Sequence, residues 1–223
     1  MRTDSISSCG SGDGFSTLTR RRLSRYPRRV PTLLSETPLK SLVNRRVLCI
    51  VDDDNLRIGL RNQGFALSYR TLRARLAELT ASLESWVVLS ANDGATARGT
   101  YLEARGWQVV QVPRQVVIHH NVPTLKANAD LELAFLAGRL SLSSPFDVVL
   151  LGTGDGDLAV SVARCLREYT TADVVTLSVP GCSSHRLTDS GLFSERLFVG
   201  RDLVVPVRSP RVRTPDVRQQ LMV

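Results

Sequence analysis

The chain has 223 residues, of which 43% are apolar, 5% aromatic and 22% charged, a balance that suits a folded core. This composition excludes collagen-like, mucin-like and fully disordered proteins. The longest apolar runs are far shorter than the ~20 residues that cross a bilayer, so neither a transmembrane helix nor a membrane partner is expected. The four cysteines form no C-x-x-C pair, and the N-terminal residues lack the apolar segment of a secretory signal, so we expect a cytoplasmic protein.

Positive charge is concentrated at the two ends of the chain. Residues 1–46 contain ten basic and three acidic side chains, residues 201–223 contain five and two, and residues 47–200 contain 14 and 16. The first segment is also rich in Ser, Gly, Thr and Pro, and it has too little apolar surface to fold. We therefore predict a disordered basic arm at residues 1–46, a folded domain at residues 47–207 and a basic tail at residues 208–223.

The arginines of the arm predict salt-dependent contacts with RNA phosphates that carry no sequence preference. A solvated tail, an arginine bias of the genome and a transit peptide are alternative explanations of the same composition. The weak RNA-binding candidates are Arg20, Arg21, Arg22, Arg25, Arg28, Arg29 and, within the domain, Lys126.

The folded domain alternates between short apolar strands and helices. The predicted order is a strand at 47–51, a helix at 72–83, a strand at 86–89, a helix at 95–105, a strand at 107–112, a helix at 128–140, a strand at 146–151, a helix at 157–168, a strand at 174–179 and a short strand near 203–207. Apolar strands without alternation, separated by helices, are typical of a parallel sheet covered on both faces. The predicted fold class is α/β, a three-layer sandwich with a mostly parallel sheet of about five to six strands.

Acidic residues follow two of the predicted strands. Asp52, Asp53 and Asp54 end the first strand, and Asp155 and Asp157 follow the strand at 146–151. Ligands of such folds bind at the carboxyl ends of the strands. Carboxylates gathered there repel one another unless a cation joins them, and Mg²⁺ or Mn²⁺ prefers such oxygen ligands. A metal ion held in this way can activate water against a phosphodiester.

A further acid, Asp130, stands near the start of the helix at 128–140 and shares a face with Leu133, which points it toward the sheet. Each acid also has a purely structural explanation. Asp130 can complement the helix dipole, Asp157 can cap the next helix, and the acids after the first strand can be solvated loop residues. The convergence of all of them on one edge of the sheet favours a metal site.

Three segments together resemble the motifs of NYN domains, relatives of the PIN nucleases. The segment 51–56, Val-Asp-Asp-Asp-Asn-Leu, resembles their first motif, and 126–134 resembles their central Lys…Asp-x-x-Leu-Ala helix. The segment 150–158 resembles their third motif, with Thr153 in place of the usual Ser. The resemblance covers about residues 46–200 and is greatest to the LabA-like branch. Lys126 lies four residues before Asp130, where three are expected, and Leu158 replaces a common Phe.

The resemblance implies a PIN-like fold and a Mg²⁺- or Mn²⁺-dependent ribonuclease that cleaves RNA with a metal-activated water. It implies that four acids hold the metal and are catalytic: Asp52, Asp130, Asp155 and Asp157. It also implies that Asn55 supports the first loop, and Thr153 is expected to steady Asp155.

Two alternatives remain open at the level of sequence. A haloacid-dehalogenase-like phosphatase would use Asp52 as nucleophile and Asp54 as acid, although no Gly-rich hairpin follows Asp54. A non-catalytic RNA-binding NYN module would keep the fold and bind through the basic ends, but retained acids would be costly without a metal. A homodimer is compatible with the sequence, which shows no self-complementary surface.

Overall fold

The computed structural model describes residues 40–91, 94–119, 122–189 and 191–207. The strands are β1 (Arg46–Asp52), β2 (Phe65–Leu67), β3 (Ser82–Ser90), β4 (Gln108–Val112), β5 (Gln115–His119), β6 (Val122–Lys126), β7 (Val148–Gly152), β8 (Asp173–Ser178), β9 (Glu195–Phe198) and β10 (Val204–Pro206). The helices are α1 (Asp53–Asn62), α2 (Tyr69–Leu79), α3 (Ala95–Glu103), α4 (Ala129–Ser143), α5 (Gly156–Tyr169) and α6 (Arg186–Asp189). Most of the predicted arm, including Arg20 to Arg29, and the tail at 208–223 lie outside the described residues, as does the side chain of Lys126.

The main sheet has six strands in the order β4-β3-β1-β7-β8-β9, and every neighbouring pair is parallel. One core lies between the sheet and helices α1, α2 and α3, and a second core lies between the opposite face and helices α4 and α5. The predicted three-layer α/β sandwich with a parallel sheet is confirmed. Apolar strands without alternation form this sheet because both of its faces are covered.

Successive side chains of β1 enter opposite cores. Val47, Cys49 and Val51 pack in the core of α1–α3, whereas Leu48 and Ile50 pack in the core of α4 and α5. Because side chains alternate along a strand, residue 52 continues the α4 side of the sheet. This alternation therefore places the side chain of Asp52, the last residue of β1, on the side of helix α4.

The structure corrects several predicted elements. The sixth strand of the main sheet is β9, whereas the predicted strand near 203–207 corresponds to β10, which pairs antiparallel with β2. Strands β5 and β6 form a separate antiparallel hairpin that was not predicted. Helix α1 begins directly after β1, so Asp53 and Asp54 are helical and the alternative of solvated loop residues is wrong.

The folded part also begins earlier than predicted. Leu42 is fully buried, and the Asn44 backbone N–H donates to the Leu79 carbonyl at 2.9 Å. The boundary placed between residues 46 and 47 is therefore several residues late. Within the described ranges, no helix combines the length and the apolar character needed to span a membrane.

Candidate active site

The order of the strands reverses beside β1. The chain runs from β1 outward through β3 to β4, returns to β7 on the other side of β1, and continues to β8 and β9. In open parallel sheets the loops after two such strands diverge and leave a crevice at their carboxyl ends, where ligands bind. Asp52 ends β1 and Thr153 follows β7, so the first and third predicted motifs flank this crevice.

Asp52 is a nearly buried carboxyl group, with 4% of its surface exposed. It caps α1, since its Oδ1 accepts a hydrogen bond from the Asn55 backbone N–H at 3.1 Å. Burial raises the pKa of Asp52 to about 7, and the charges of Asp130, Asp54 and Asp53 act in the same direction against the Asn55 bond. Near neutral pH this carboxyl is therefore present in both its protonated and its ionised form, and a cation beside it would favour the ionised form.

Asp130 stands in the first turn of α4 and is exposed to solvent. It is close enough to Asp52 for its charge to contribute to the raised pKa of that group. Asp52 lies on the α4 side of the sheet because side chains alternate along β1, and the first turn of α4 lies on the same side. The structure therefore brings together one pair of the four predicted acids.

The loop after β7 uses Asp155 as a helix cap. Its Oδ1 accepts hydrogen bonds from the backbone N–H groups of Asp157 at 2.8 Å and Leu158 at 3.2 Å. The Asp155 N–H donates to Oγ1 of Thr153, which is fully buried. Asp157 points outward, with 72% of its side chain exposed, and forms an ion pair with Arg186.

Asn55 joins the two loops that flank the crevice. Its Oδ1 accepts a hydrogen bond from the Gly154 backbone N–H at 2.7 Å. A Cβ atom at Gly154 would lie 2.9 Å from that Oδ1 and 3.0 Å from the Cys182 carbonyl oxygen, so only glycine allows this close approach. The contact fixes the end of β1 against the turn after β7.

Gly154→Ala is expected to destabilise the fold by about 2 kcal/mol, because the new methyl group pushes Asn55 and the Cys182 backbone apart. Urea unfolding would measure the loss. Asn55→Ala removes the same contact from the other side, so the double variant should lose less than the sum of the two single variants. Additive losses would contradict a shared contact.

The residues present fit a metal ion with few protein ligands. Among the described side chains, no group of three or more histidines, cysteines and acids is placed to hold a metal. Mg²⁺, however, commonly binds through one or two carboxylates and completes its shell with water and substrate phosphate. The buried, raised-pKa carboxyl of Asp52 beside Asp130 matches such a pair. Metal binding by all four predicted acids stays a prediction.

A buried ion network on the other side of β1 was not predicted. Asp53 is 2% exposed, and its carboxylate accepts a hydrogen bond from the Tyr69 hydroxyl at 2.9 Å. It also forms ion pairs with Arg98 and with Nε of Arg57, the latter at 3.4 Å. Asp53 and Arg57 are four residues apart, a spacing that brings opposite charges together on a helix. That spacing was the signal in the sequence that marked Asp53 as a paired residue.

Asp54 has the opposite electrostatic environment to Asp52. Its partial burial acts to raise its pKa, but hydrogen bonds from Ser90 and Arg57 and the charges of Arg57 and Arg114 outweigh burial and lower it. A cavity of about 230 Å³ opens beside this residue, between α1, α3 and the end of β3. Asp54 therefore stays ionised at neutral pH and holds no proton to donate.

Comparison with known proteins supports the fold and leaves the chemistry open. A solved structure of a protein of unknown function from Vibrio parahaemolyticus has 19% sequence identity and a TM-score of 0.57, and the match covers 73% of this chain and 98% of that one. A structure of MurG from Acinetobacter baumannii has 12% identity and a TM-score of 0.39 over 70% of this chain and 45% of its own, too low to support an argument. No known family model and no curated protein matches the sequence. Membership of the NYN domains stays a prediction.

Proposed function

We propose that this protein is a metal-dependent ribonuclease that hydrolyses RNA phosphodiester bonds in the cytoplasm. The observation that carries the proposal is the buried carboxyl of Asp52 at the strand-order reversal, with a pKa of about 7 and Asp130 beside it. A carboxyl group that burial and like charges keep from ionising is characteristic of a functional site. The basic ends of the chain, with net charges of +7 and +3, supply affinity for an RNA partner.

Each residue of the site has a role in this proposal. A Mg²⁺ or Mn²⁺ ion held by Asp52 and Asp130 would neutralise phosphate charge and lower the pKa of water. Asn55 holds the end of β1 against the turn after β7 through its 2.7 Å bond to Gly154. Asp155 orders the start of α5 through Oδ1, and its Oδ2 takes no part in those two capping bonds. Thr153 steadies the same turn from inside the core.

The phosphatase alternative is less well supported by the geometry. It requires Asp54 to donate a proton to the leaving group, which calls for a raised pKa. Hydrogen bonds from Ser90 and Arg57 lower the pKa of Asp54 instead, despite its partial burial. Strand β1 also passes directly into α1, which contains Asp54, so no flap hairpin lies between these acids and the first helix.

The test is an assay of the full chain against labelled single-stranded RNA and a generic phosphate monoester, with Mg²⁺, Mn²⁺ or a chelator. We expect RNA cleavage with either metal and none with the chelator. Asp52→Asn and Asp130→Asn should each reduce the cleavage rate at least about 100-fold. The matched control is Asp173→Asn, which removes an exposed carboxylate at the opposite, amino-terminal edge of the sheet and should leave the rate unchanged.

The assay separates the three candidate functions. Monoester turnover with intact RNA would support the phosphatase and contradict the nuclease. RNA binding without turnover, unaffected by either variant, would support a binding module. Equal loss of rate in Asp173→Asn would mean that folding, and not the site, limits activity, so melting temperatures are recorded for every variant.

A further inference from the structure

Helix α4 is apolar on two opposite faces. Its inner face carries Leu133, Leu136 and Ala137, which pack in the core against the sheet. Its outer face carries a stripe of Leu131, Phe135 and Leu142, which are 70%, 61% and 64% exposed. A helix that is apolar all round is normally buried on all sides, and contiguous exposed apolar residues mark an interaction surface. The described part of the chain leaves this stripe uncovered.

The stripe has a gap at its centre. Gly138 lies between Phe135 and Leu142 on the same face, since residues at i, i+4, i+7 and i+11 fall in line on a helix. A Cβ atom at Gly138 would meet nothing within 4 Å, so the gap opens to the outside of the molecule. The outer stripe therefore consists of two leucines, one aromatic ring and one hollow.

The stripe is complementary to itself when the helix is reversed. An antiparallel copy whose midpoint lies between residues 136 and 137 places Leu131 opposite the second copy's Leu142. The same register places Phe135 opposite the second copy's Gly138, so each ring enters the other helix's hollow. A two-fold axis makes every such contact twice, as an isologous interface requires.

The charges that flank the stripe match in the same register. Glu132 and Arg139 lie on one side of it, seven residues apart. In an antiparallel helix pair the same flank of each copy meets, and Glu132 then lies within about 3 Å along the axis of the second copy's Arg139. Both cross-pairs join opposite charges.

From this match of shape and charge we infer that α4 packs antiparallel against α4 of a second copy of this chain, forming a two-fold homodimer. The interface lies on the outer face of the α4–α5 layer, on the side of α4 that faces away from the sheet. The inference is independent of the proposed nuclease activity.

Sedimentation velocity of the full chain tests the pairing. We expect wild type to sediment as a dimer of the 24.5 kDa chain at micromolar concentration. Gly138→Leu fills the hollow, and its Cβ atom meets no atom of the protomer within 4 Å, so it should yield folded monomers with an unchanged circular dichroism spectrum. The matched control is Ile58→Ser, which removes an apolar side chain, 54% exposed, from α1 and should leave the dimer intact.

A charge exchange gives the second arm. Glu132→Arg and Arg139→Glu should each weaken the dimer at least tenfold, and the double exchange should restore it, because only the pairs between copies are rebuilt. A monomeric wild type would overturn the inference, as would a dimer that Gly138→Leu leaves unchanged. A wild-type monomer that associates only after removal of residues 1–39 would show that the chain covers its own stripe, and would equally overturn it.

Discussion

Replacing Asp52 with asparagine is expected to stabilise the protein by up to about 4 kcal/mol at pH 8 in the presence of a chelator. The pKa of this carboxyl is about 7 in the fold, against 3.8 for the free group. A difference of one in pKa corresponds to about 1.4 kcal/mol, so the difference of about three between the folded and the free carboxyl gives the expected stabilisation. Asparagine is an equally good helix cap, so the bond to the Asn55 N–H is retained.

The sign follows from where each state binds its proton. Below about pH 4 both states are protonated, and ionisation of Asp52 contributes nothing. Between that pH and about 7 the unfolded chain releases the proton while the fold retains it, so wild type loses stability as pH rises. The advantage of Asp52→Asn should therefore grow from near zero to its full value over this range.

Urea unfolding of wild type and variant between pH 4.5 and 8.5 measures the effect. Asp54→Asn is the matched control, because the pKa of Asp54 is lowered in the fold by Ser90 and Arg57 despite burial. This neighbouring variant should lose stability by an amount that stays nearly constant over this range, because the loss shrinks only as pH falls below the ordinary Asp pKa of about 4. A stability difference for Asp52→Asn that does not vary with pH would contradict the raised pKa.

The second large effect is expected at Asp53. Asp53→Asn should destabilise the fold by about 2–3 kcal/mol, because it leaves Arg98 without its buried counter-ion and leaves Arg57 with Asp54 alone. This loss is smaller than that expected for a fully buried ion pair, because 40% of the Arg98 side chain and 29% of the Arg57 side chain are exposed. Thermal or urea unfolding would measure it.

A double-mutant cycle identifies the cause. Arg98→Gln alone should also destabilise the fold, and the Asp53→Asn/Arg98→Gln pair should be less destabilised than the sum. Tyr69→Phe is the smaller control, since it removes one 2.9 Å hydrogen bond and should cost about 1 kcal/mol. Strict additivity of the Asp53 and Arg98 variants would show that the ion pair contributes nothing.

The main sheet was largely predictable because its central strands are continuous apolar runs. β1 and β7 are buried on both faces, and the burial that drives their assembly is visible in their composition. β9 escaped prediction because two of its four residues, Glu195 and Arg196, are charged. Helix α1 was missed because three consecutive aspartates resemble a loop, although acids in a first turn also complement a helix dipole.

The site was predictable in position and only partly in geometry. The rule that ligands bind at strand carboxyl ends leads to Asp52 and the turn after β7, and the structure places both at that edge of the sheet. The rule does not distinguish Asp52, which ends β1, from Asp53, which begins α1 and contacts Tyr69 in the opposite helix layer. Nor does it give the direction of Asp157, which is decided by the α5 cap and by Arg186, 29 residues later in the chain.

The central position of β1 sets the order in which the protein can be completed during synthesis. β1, β3 and β4, with α1 to α3, leave the ribosome first and can form one covered face. The other face of β1 stays bare until α4, β7 and α5 follow, about 100 residues later, and such distant pairings form slowly. Asp52 consequently acquires its pKa of about 7, its neighbour Asp130 and the Asn55–Gly154 bond only when the second half of the sheet has docked. A nascent chain that ends before α4 would lack both Asp130 and the Gly154 partner of Asn55.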